Sequence, residues 1–148
     1  MIIRQATLLD LDQLAILFDA YRVWYRQTSN LEKAKQFLKE RLILKESIIF
    51  LAIHEGQAIG FTQLYPSYSS TRLARLWILN DLYIADKHRG HRYALQLIDA
   101  AKSYCRETDG CGILLETETT NTIGNQLYLK TGFKLEQNNF YFWSQESS

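Results

Sequence analysis

The sequence predicts a mixed α/β fold, an open and mostly antiparallel sheet of about seven strands with helices on both faces. Three observations carry that prediction. The elements read β, α, α, β, β, β, α, β, α, β, β; the middle is a long antiparallel run; only the last strand–helix–strand step looks parallel. Residues 2–5 alternate weakly and give a short first strand. Leu11, Leu14, Leu17, Phe18, Tyr21, Trp24 and Tyr25 recur at three- and four-residue spacing, the mark of an amphipathic helix. Ser29 with Glu32 reads as a capping box that opens a second helix, with Leu31, Ala34, Phe37, Leu38 and Leu42 as its apolar stripe. Ile48–His54, turned by Glu55-Gly56 into Ala58–Tyr65, reads as a hairpin, and Pro66-Ser-Tyr-Ser-Ser as a loop. Leu76–Ile84 is a third long strand, followed by a basic turn and a helix from about Arg92 to Thr108. Gly110-Cys-Gly breaks that helix, Ile113–Thr117 is a strand, and Ile123–Lys130 is a short helix stopped at Thr131-Gly132. Two aromatic strand pieces, Phe133–Leu135 and Asn139–Trp143, close the chain.

Composition narrows the function classes. The 148 residues suit one domain spanning 1–148, with 47% apolar and 22% charged residues, an ordinary globular balance. Seventeen basic residues against sixteen acidic leave a net charge of +1, which argues against coating nucleic acid or an anionic membrane. No apolar run is long enough for a membrane span, and the N-terminus has no signal-peptide pattern. Cys105 and Cys111 fit neither a disulfide framework nor a metal-ligand spacing, so reduced thiols, no metal and a cytoplasmic location are expected.

The most informative stretch runs from Asp81 to Leu95. A buried strand enters a turn carrying Arg89, Gly90, His91 and Arg92, and an amphipathic helix begins at once. The first turn of a helix leaves backbone N–H groups unpaired and carries partial positive charge. Beside Arg89 and Arg92 that makes either a phosphate site or a solvated basic turn; composition does not separate the two. The glycine-lysine-serine phosphate loop and the dinucleotide glycine fingerprint are both absent.

That stretch resembles the acyl-CoA-binding motif of the GCN5-related N-acetyltransferase (GNAT) superfamily: arginine or glutamine, two residues, glycine, one residue, then glycine or alanine. Arg89 matches the first position and Ala94 the last, while Arg92 stands where glycine is expected. Downstream, Asn121-Thr-Ile-Gly-Asn-Gln-Leu-Tyr-Leu-Lys-Thr-Gly-Phe resembles the second signature, with Gly124 in place of the usual alanine. The segment Asn80-Asp-Leu-Tyr-Ile is similar to the matching strand of diamine acetyltransferases, which typically carry glutamate where this chain has Asn80. Gln63-Leu-Tyr-Pro-Ser resembles a largely uncharacterised microbial branch.

The resemblance implies a central β-α-β acyl-CoA motif and acetyl-CoA as co-substrate. The pantetheine arm would pair with Leu82, Tyr83 and Ile84 where their strand splays from Ile113–Thr117, and Arg89, Gly90, His91, Arg92, Tyr93 and Ala94 would hold the phosphates, with Asn121 and Tyr128 completing the donor site. A primary amine would attack the thioester directly through a tetrahedral intermediate, with a backbone N–H near Leu82–Tyr83 facing the oxyanion. Tyr128 matches the tyrosine that protonates the departing thiolate; on helical spacing alone it reads as a core aromatic. An amine with a pKa of about 10.4 needs a base, for which Asp81, Glu116 and Glu118 are candidates, the two glutamates sharing a strand face. Two clusters could form the acceptor pocket, Tyr21-Arg-Val-Trp-Tyr-Arg on the first helix and Gln63–Ser69 with Trp77; within and beside them Tyr25, Tyr65, Trp77 and Asn80 are the candidate residues, since aromatic walls beside carboxylates suit a flexible cation.

Four functions are to be weighed, of which nucleic-acid binding through Lys87, His88, Arg89, His91 and Arg92 ranks last because the net charge is near zero; the other three are as follows. The first is N-acetylation of a small polyamine-like or amino-acid-like amine. The second is acetylation of a protein N-terminus or lysine. The third is a non-catalytic acyl-CoA-binding domain. The closing Phe140-Tyr-Phe-Trp puts aromatics on both faces of a strand, pointing to a homodimer or to cover by a helix of the same chain.

Overall fold

The computed structural model describes residues 1–145, which divide into two units, Met1–Glu116 and a second that begins at Thr117. In the first, five strands lie side by side in chain order: β1 Ile2–Gln5, β2 Ile48–His54, β3 Gln57–Ser69, β4 Ala74–Ile84 and β5 Gly110–Leu114. The first three joints are antiparallel. The last, β4 to β5, is parallel and is bridged by α3, Tyr93–Glu107. The fold class is therefore the expected one, a mostly antiparallel mixed sheet.

Each face of the sheet is covered for a reason visible in the side chains. On one face α1 (Leu11–Trp24) and α2 (Leu31–Ile43) set Leu14, Phe18 and Leu38 against Leu51 and Phe61. On the other, α3 sets Tyr93 and Leu97 against Ala52, Ile59 and Ile84. A Thr7–Asp10 capping box opens a 3-10 turn ahead of α1, and Arg4 grips the Asp10 carboxylate with both guanidinium nitrogens at 2.7 and 2.9 Å. That grip holds the Asp10 carboxyl below the ordinary aspartate range. The β2–β3 hairpin turns on Glu55 at φ 50° and Gly56 at φ 77°, both in the left-handed region that a two-residue primed turn demands. No helix among the described residues is long and apolar enough to cross a membrane.

Several expected boundaries are corrected. Asn30, not Ser29, caps α2: its side chain accepts from the Lys33 N–H, while the Ser29 hydroxyl donates to Asp19 at 2.6 Å. Pro66 and Ser67 belong to β3 rather than to a loop. β2 stops pairing at Ile48↔Leu64, so from Tyr65 onward β3 has an open flank where proline's missing N–H costs no ladder bond. β5 begins at Gly110, three residues before the expected start, and ends at Leu114. A side chain at Gly110 would meet Cys105 Sγ and the Trp77 ring, so this glycine permits close packing of β5 rather than a break before it.

In the second unit, α4 (Thr122–Lys130) ends in a Schellman motif: Phe133 N–H donates to the Tyr128 carbonyl and Gly132 N–H to that of Leu129. Residues 133–145 hold no strand, so Phe133–Leu135 and Asn139–Trp143 are not the sixth and seventh strands. Strand propensity is present there, but a strand exists only through a hydrogen-bonded neighbour.

Candidate functional site

The site is organised by the two flanks of β4. Toward β3, pairing runs from Ser69↔Ala74 to Gly60↔Ile84 with one irregularity. Gln63 pairs with Asp81 and Leu64 with Leu79, so Asn80 is an extra residue, and such a bulge re-aims the side chains around it. Toward β5, pairing consists of Arg75↔Gly110, Trp77↔Ile113 and Ile78↔Leu114. From Leu79 to Ile84 that flank has no strand partner among the described residues. Leu82, Tyr83 and Ile84 thus lie on an edge that an extended ligand can pair with.

The open edge leads directly into the turn. After a 3-10 turn at Asp86–His88, Gly90 takes φ 84° and Arg92 φ 66°, and α3 starts. A side chain at Gly90 would meet nothing within 4 Å, so the backbone angle, not space, demands glycine there. Left-handed geometry strains any residue with a Cβ, so Arg92 carries a strain that glycine would not. Arg92 is the N-cap of α3 and caps nothing with its side chain, and the first turn contains no acidic residue. The helix therefore presents N–H groups and partial positive charge without an internal anion.

Arg89 is held inside the turn: Nε donates to the Ile84 carbonyl at 2.9 Å and a terminal nitrogen pairs with Asp86 at 2.8 Å. Its guanidinium carbon lies 5.5 Å from the Tyr83 ring centre. His91 is exposed, Ala94 half-buried and Tyr93 buried. The Tyr93 hydroxyl lies 3.3 Å from His54 Nδ1, and the His88 and His91 rings are 6.4 and 6.1 Å from its ring. All three histidines of the chain thus gather about the start of α3.

Asp81 sits at the bulge and is only 2% exposed. One carboxylate oxygen accepts from Gln63 Nε2 at 2.5 Å and the other from Asn80 Nδ2 at 3.0 Å. Burial raises its pKa above the ordinary 3.8, opposed by the hydrogen bonds from Gln63, Asn80 and Tyr21. The Gln63 carbonyl oxygen is buried and has no hydrogen-bond partner among the described residues. Tyr65, half-buried, has its phenol pushed up by burial and by the Asp81 charge. Tyr21 donates to the Asn80 carbonyl at 3.2 Å, and the Tyr25 ring stands edge-on to Tyr21 at 5.0 Å. Asp81, Asn80, Tyr65 and Tyr25 are therefore brought together on the α1 face. Trp77 is not among them: its indole N–H donates to Thr108 at 2.9 Å and its ring packs on Tyr104 of α3. Tyr21 and Gln63 lie in the two clusters, 21–26 and 63–69, that the sequence offers for the acceptor pocket, but spacing singles out neither.

Glu116 is exposed and, like Glu118, lies beyond the end of β5, so strand alternation does not govern either carboxylate. In the second unit Asn121 caps α4: its carbonyl oxygen accepts from Gly124 N–H at 3.2 Å and its amide donates to Thr117 at 2.9 Å. A Cβ on Gly124 would overlap that amide, so the usual alanine of the family would displace the cap. Tyr128 is half-buried, with Phe133 edge-on at 5.8 Å. No group of three or more His, Cys, Asp or Glu among the described residues is placed to hold a metal ion.

Comparison with known proteins points the same way. The sequence model of the acetyltransferase (GNAT) family matches residues 12–133. An uncharacterised N-acetyltransferase of Bacillus subtilis (strain 168), YhfO, is 42% identical over 132 residues, 89% of each chain. A probable acetyltransferase of Haemophilus influenzae is 34% identical over 108 residues, covering 72% of this chain and 74% of that one. The crystal structure of a probable acetyltransferase is 40% identical and aligns at a TM-score of 0.94 over 99% of this chain and 100% of that one. An aminoglycoside N-acetyltransferase in complex with CoA aligns at 0.81 over 97% and 94% with 20% identity, a likeness of fold alone.

Proposed function

The chain belongs to the acetyltransferase (GNAT) family and is an acetyltransferase, and we propose that it moves an acetyl group from acetyl-CoA to a primary amine of a small, polyamine-like or amino-acid-like molecule. The observation that carries this reading is the open β4 flank from Leu79 to Ile84, ending at an uncapped helix N-terminus. An extended arm can pair with Leu82, Tyr83 and Ile84, while a pyrophosphate meets the N–H groups of Tyr93 and Ala94, with Gly90, His91 and Arg92 around it. Arg89, already tied to Asp86 and Ile84, holds the shape of the turn as well as adding charge.

Acetyl-CoA supplies the thioester. The chain's own residues then have three tasks. The Leu82–Tyr83 backbone offers N–H to the developing oxyanion. Asp81, raised in pKa by burial, is the proton acceptor, reached from the surface through Asn80, whose exposed amide bonds to it. Glu116 is the exposed alternative. Tyr128, carried by the helix that Asn121 caps, gives its proton to the leaving thiolate. Tyr25 and Tyr65 form the acceptor's aromatic wall. Trp77, bonded to Thr108, supports the sheet instead.

The protein works in the cytoplasm, as its two free thiols suit, and pairs with a second copy of itself. A panel of amines with a free-CoA readout tests the activity: release with diamines or amino acids supports the reading, and release only with peptides moves it to protein acetylation. Acetyl-CoA binding without release under any acceptor leaves the non-catalytic module.

A further inference from the structure

The sheet is notched where β3 outruns β2. β2 begins at Ile48, opposite Leu64, while β3 continues to Ser69, so beyond Leu64 that flank of β3 has no strand partner among the described residues. A cleft of about 750 Å³ lies at the notch, inside the range of roughly 300–1,000 Å³ that holds a small molecule. All its lining residues belong to the unit Met1–Glu116. Leu42, Ile48, Pro66, Trp77 and Tyr104 give it apolar and aromatic walls. Trp77, which the sequence offers for the acceptor pocket, is therefore a cleft aromatic after all, but of a different cleft.

The charge in this cleft is of one sign. Lys45 and Arg75 line it and no carboxylate does. The acids beside the lining segments are already held, Glu46 by Arg41 at 2.9 Å and Asp10 by Arg4 at 2.7 Å. Arg75 is half-buried, its guanidinium carbon 4.4 Å from the Tyr68 ring centre and 5.2 Å from that of Trp77. A guanidinium stacked on rings keeps its N–H edge for a planar acceptor, and a carboxylate offers that edge two oxygens. Ser47 adds an independent mark. It lines the cleft at 4% exposure, and its hydroxyl is buried with no hydrogen-bond partner among the described residues. Buried polar groups are nearly always paired, so this hydroxyl calls for a partner that the chain does not supply.

We propose that the cleft binds a small organic carboxylate with an aromatic body, its carboxylate taken by Arg75, Lys45 and Ser47 and its ring lying against Trp77, Pro66 and Ile48. An inorganic anion would leave the apolar walls unused, and an amine would meet two cations. The site is separate from the acceptor pocket. Trp77 packs on Tyr104 of α3, whereas the bulge at Asn80 turns Asp81 toward α1. Along β4 the two are four residues apart, about 13 Å at the rise of a strand. It is separate from the donor edge as well, which begins at Leu79 and runs away from Arg75. The cleft therefore takes its ligand independently of acetyl transfer.

Phenylacetate and its neutral counterpart phenylacetamide are the probes, read by calorimetry and amide NMR on the full-length protein. Phenylacetate should shift the amides of Ser47 and Ile48 and the indole N–H of Trp77, equally with and without acetyl-CoA. Phenylacetamide should bind the wild type roughly tenfold or more weakly, and phenylacetate should lose as much in Arg75→Gln, the scale of a hydrogen bond to a charged group. Ser47→Ala should weaken phenylacetate without lowering the melting temperature, since no bond within the chain is lost. Circular dichroism checks that Arg75→Gln is folded; if it is not, Lys45→Gln, at an exposed position, carries the same test with a several-fold loss. Equal affinity for the acid and the amide overturns the proposal, because it leaves only an apolar crevice. So does phenylacetate that moves none of the three reporter groups, and so does its displacement by acetyl-CoA, which would put it on the donor edge.

Discussion

The two flanks of β4 are made of the same residues and do opposite things. Toward β3 the strand is paired from Ala74 to Ile84, interrupted only by the bulge at Asn80. Toward β5 it is paired at three positions and released after Ile78. The paired flank fixes where side chains point, and its one fault delivers Asp81 and Asn80 to the α1 face. The released flank has no strand partner after Ile78 among the described residues and runs into the turn before α3. Rigidity on one side and an unfilled ladder on the other are together what an extended acyl donor needs, because a pre-formed edge costs little ordering on binding.

The largest expected effect comes from the paired flank. Asp81→Asn should lower turnover by about 10²–10⁴-fold, the range for a positioned base, measured as CoA release at saturating acetyl-CoA. The same variant should be more stable than the wild type at neutral pH. The folded pKa of Asp81 lies above its unfolded value, so its contribution is fully present below about pH 4 and is lost as pH rises through the folded pKa. The gain in Tm for the asparagine should therefore grow as pH is raised from 4 toward 8. Next, Tyr128→Phe should cost about 10²-fold in kcat with little change in KM for acetyl-CoA, since the hydroxyl matters as charge builds on sulfur.

On the released flank, Gly90→Val should weaken acetyl-CoA binding about tenfold by calorimetry, because φ 84° costs a β-branched residue on the order of 1–2 kcal/mol and the turn will relax away from it. Arg92→Gly should add about 1 kcal/mol to stability by relieving the left-handed strain, visible as a raised denaturation midpoint. A fall in donor affinity in the same variant would assign phosphate pairing to the arginine. The smallest effect is at Gly124→Ala, where about 1 kcal/mol of helix propensity is gained and a cap of similar value is lost, so the melting temperature should barely move.

Much of this was legible in the chain. α1, α2 and α3 are recognisable from periodicity because each has one clear buried face, as Leu14, Leu38 and Leu97 show. The turn at Arg89–Arg92 was legible because its chemistry is local. What could not be read depended on neighbours. The bulge at Asn80 is a property of register between two strands, so Gln63 facing Asp81 has no trace in spacing. Gly110 looked like a helix breaker because its reason, the nearness of Cys105 and Trp77, lies in packing. Trp77 looked like a pocket aromatic because its partner, Thr108, is 31 residues away. The two closing strands were predicted from residue types that favour strands, but pairing is what makes one.

Amide hydrogen exchange on the folded protein, with and without acetyl-CoA, separates the flanks most directly. On binding, the backbone amides of the Leu79–Ile84 segment that face β5, together with the first-turn amides of Tyr93 and Ala94, should become protected. Those bonded to β3, already in a ladder, should change little. Saturating acetyl-CoA that leaves the Leu82–Ile84 and Tyr93–Ala94 amides exchanging as before would contradict the assignment of the donor to this edge.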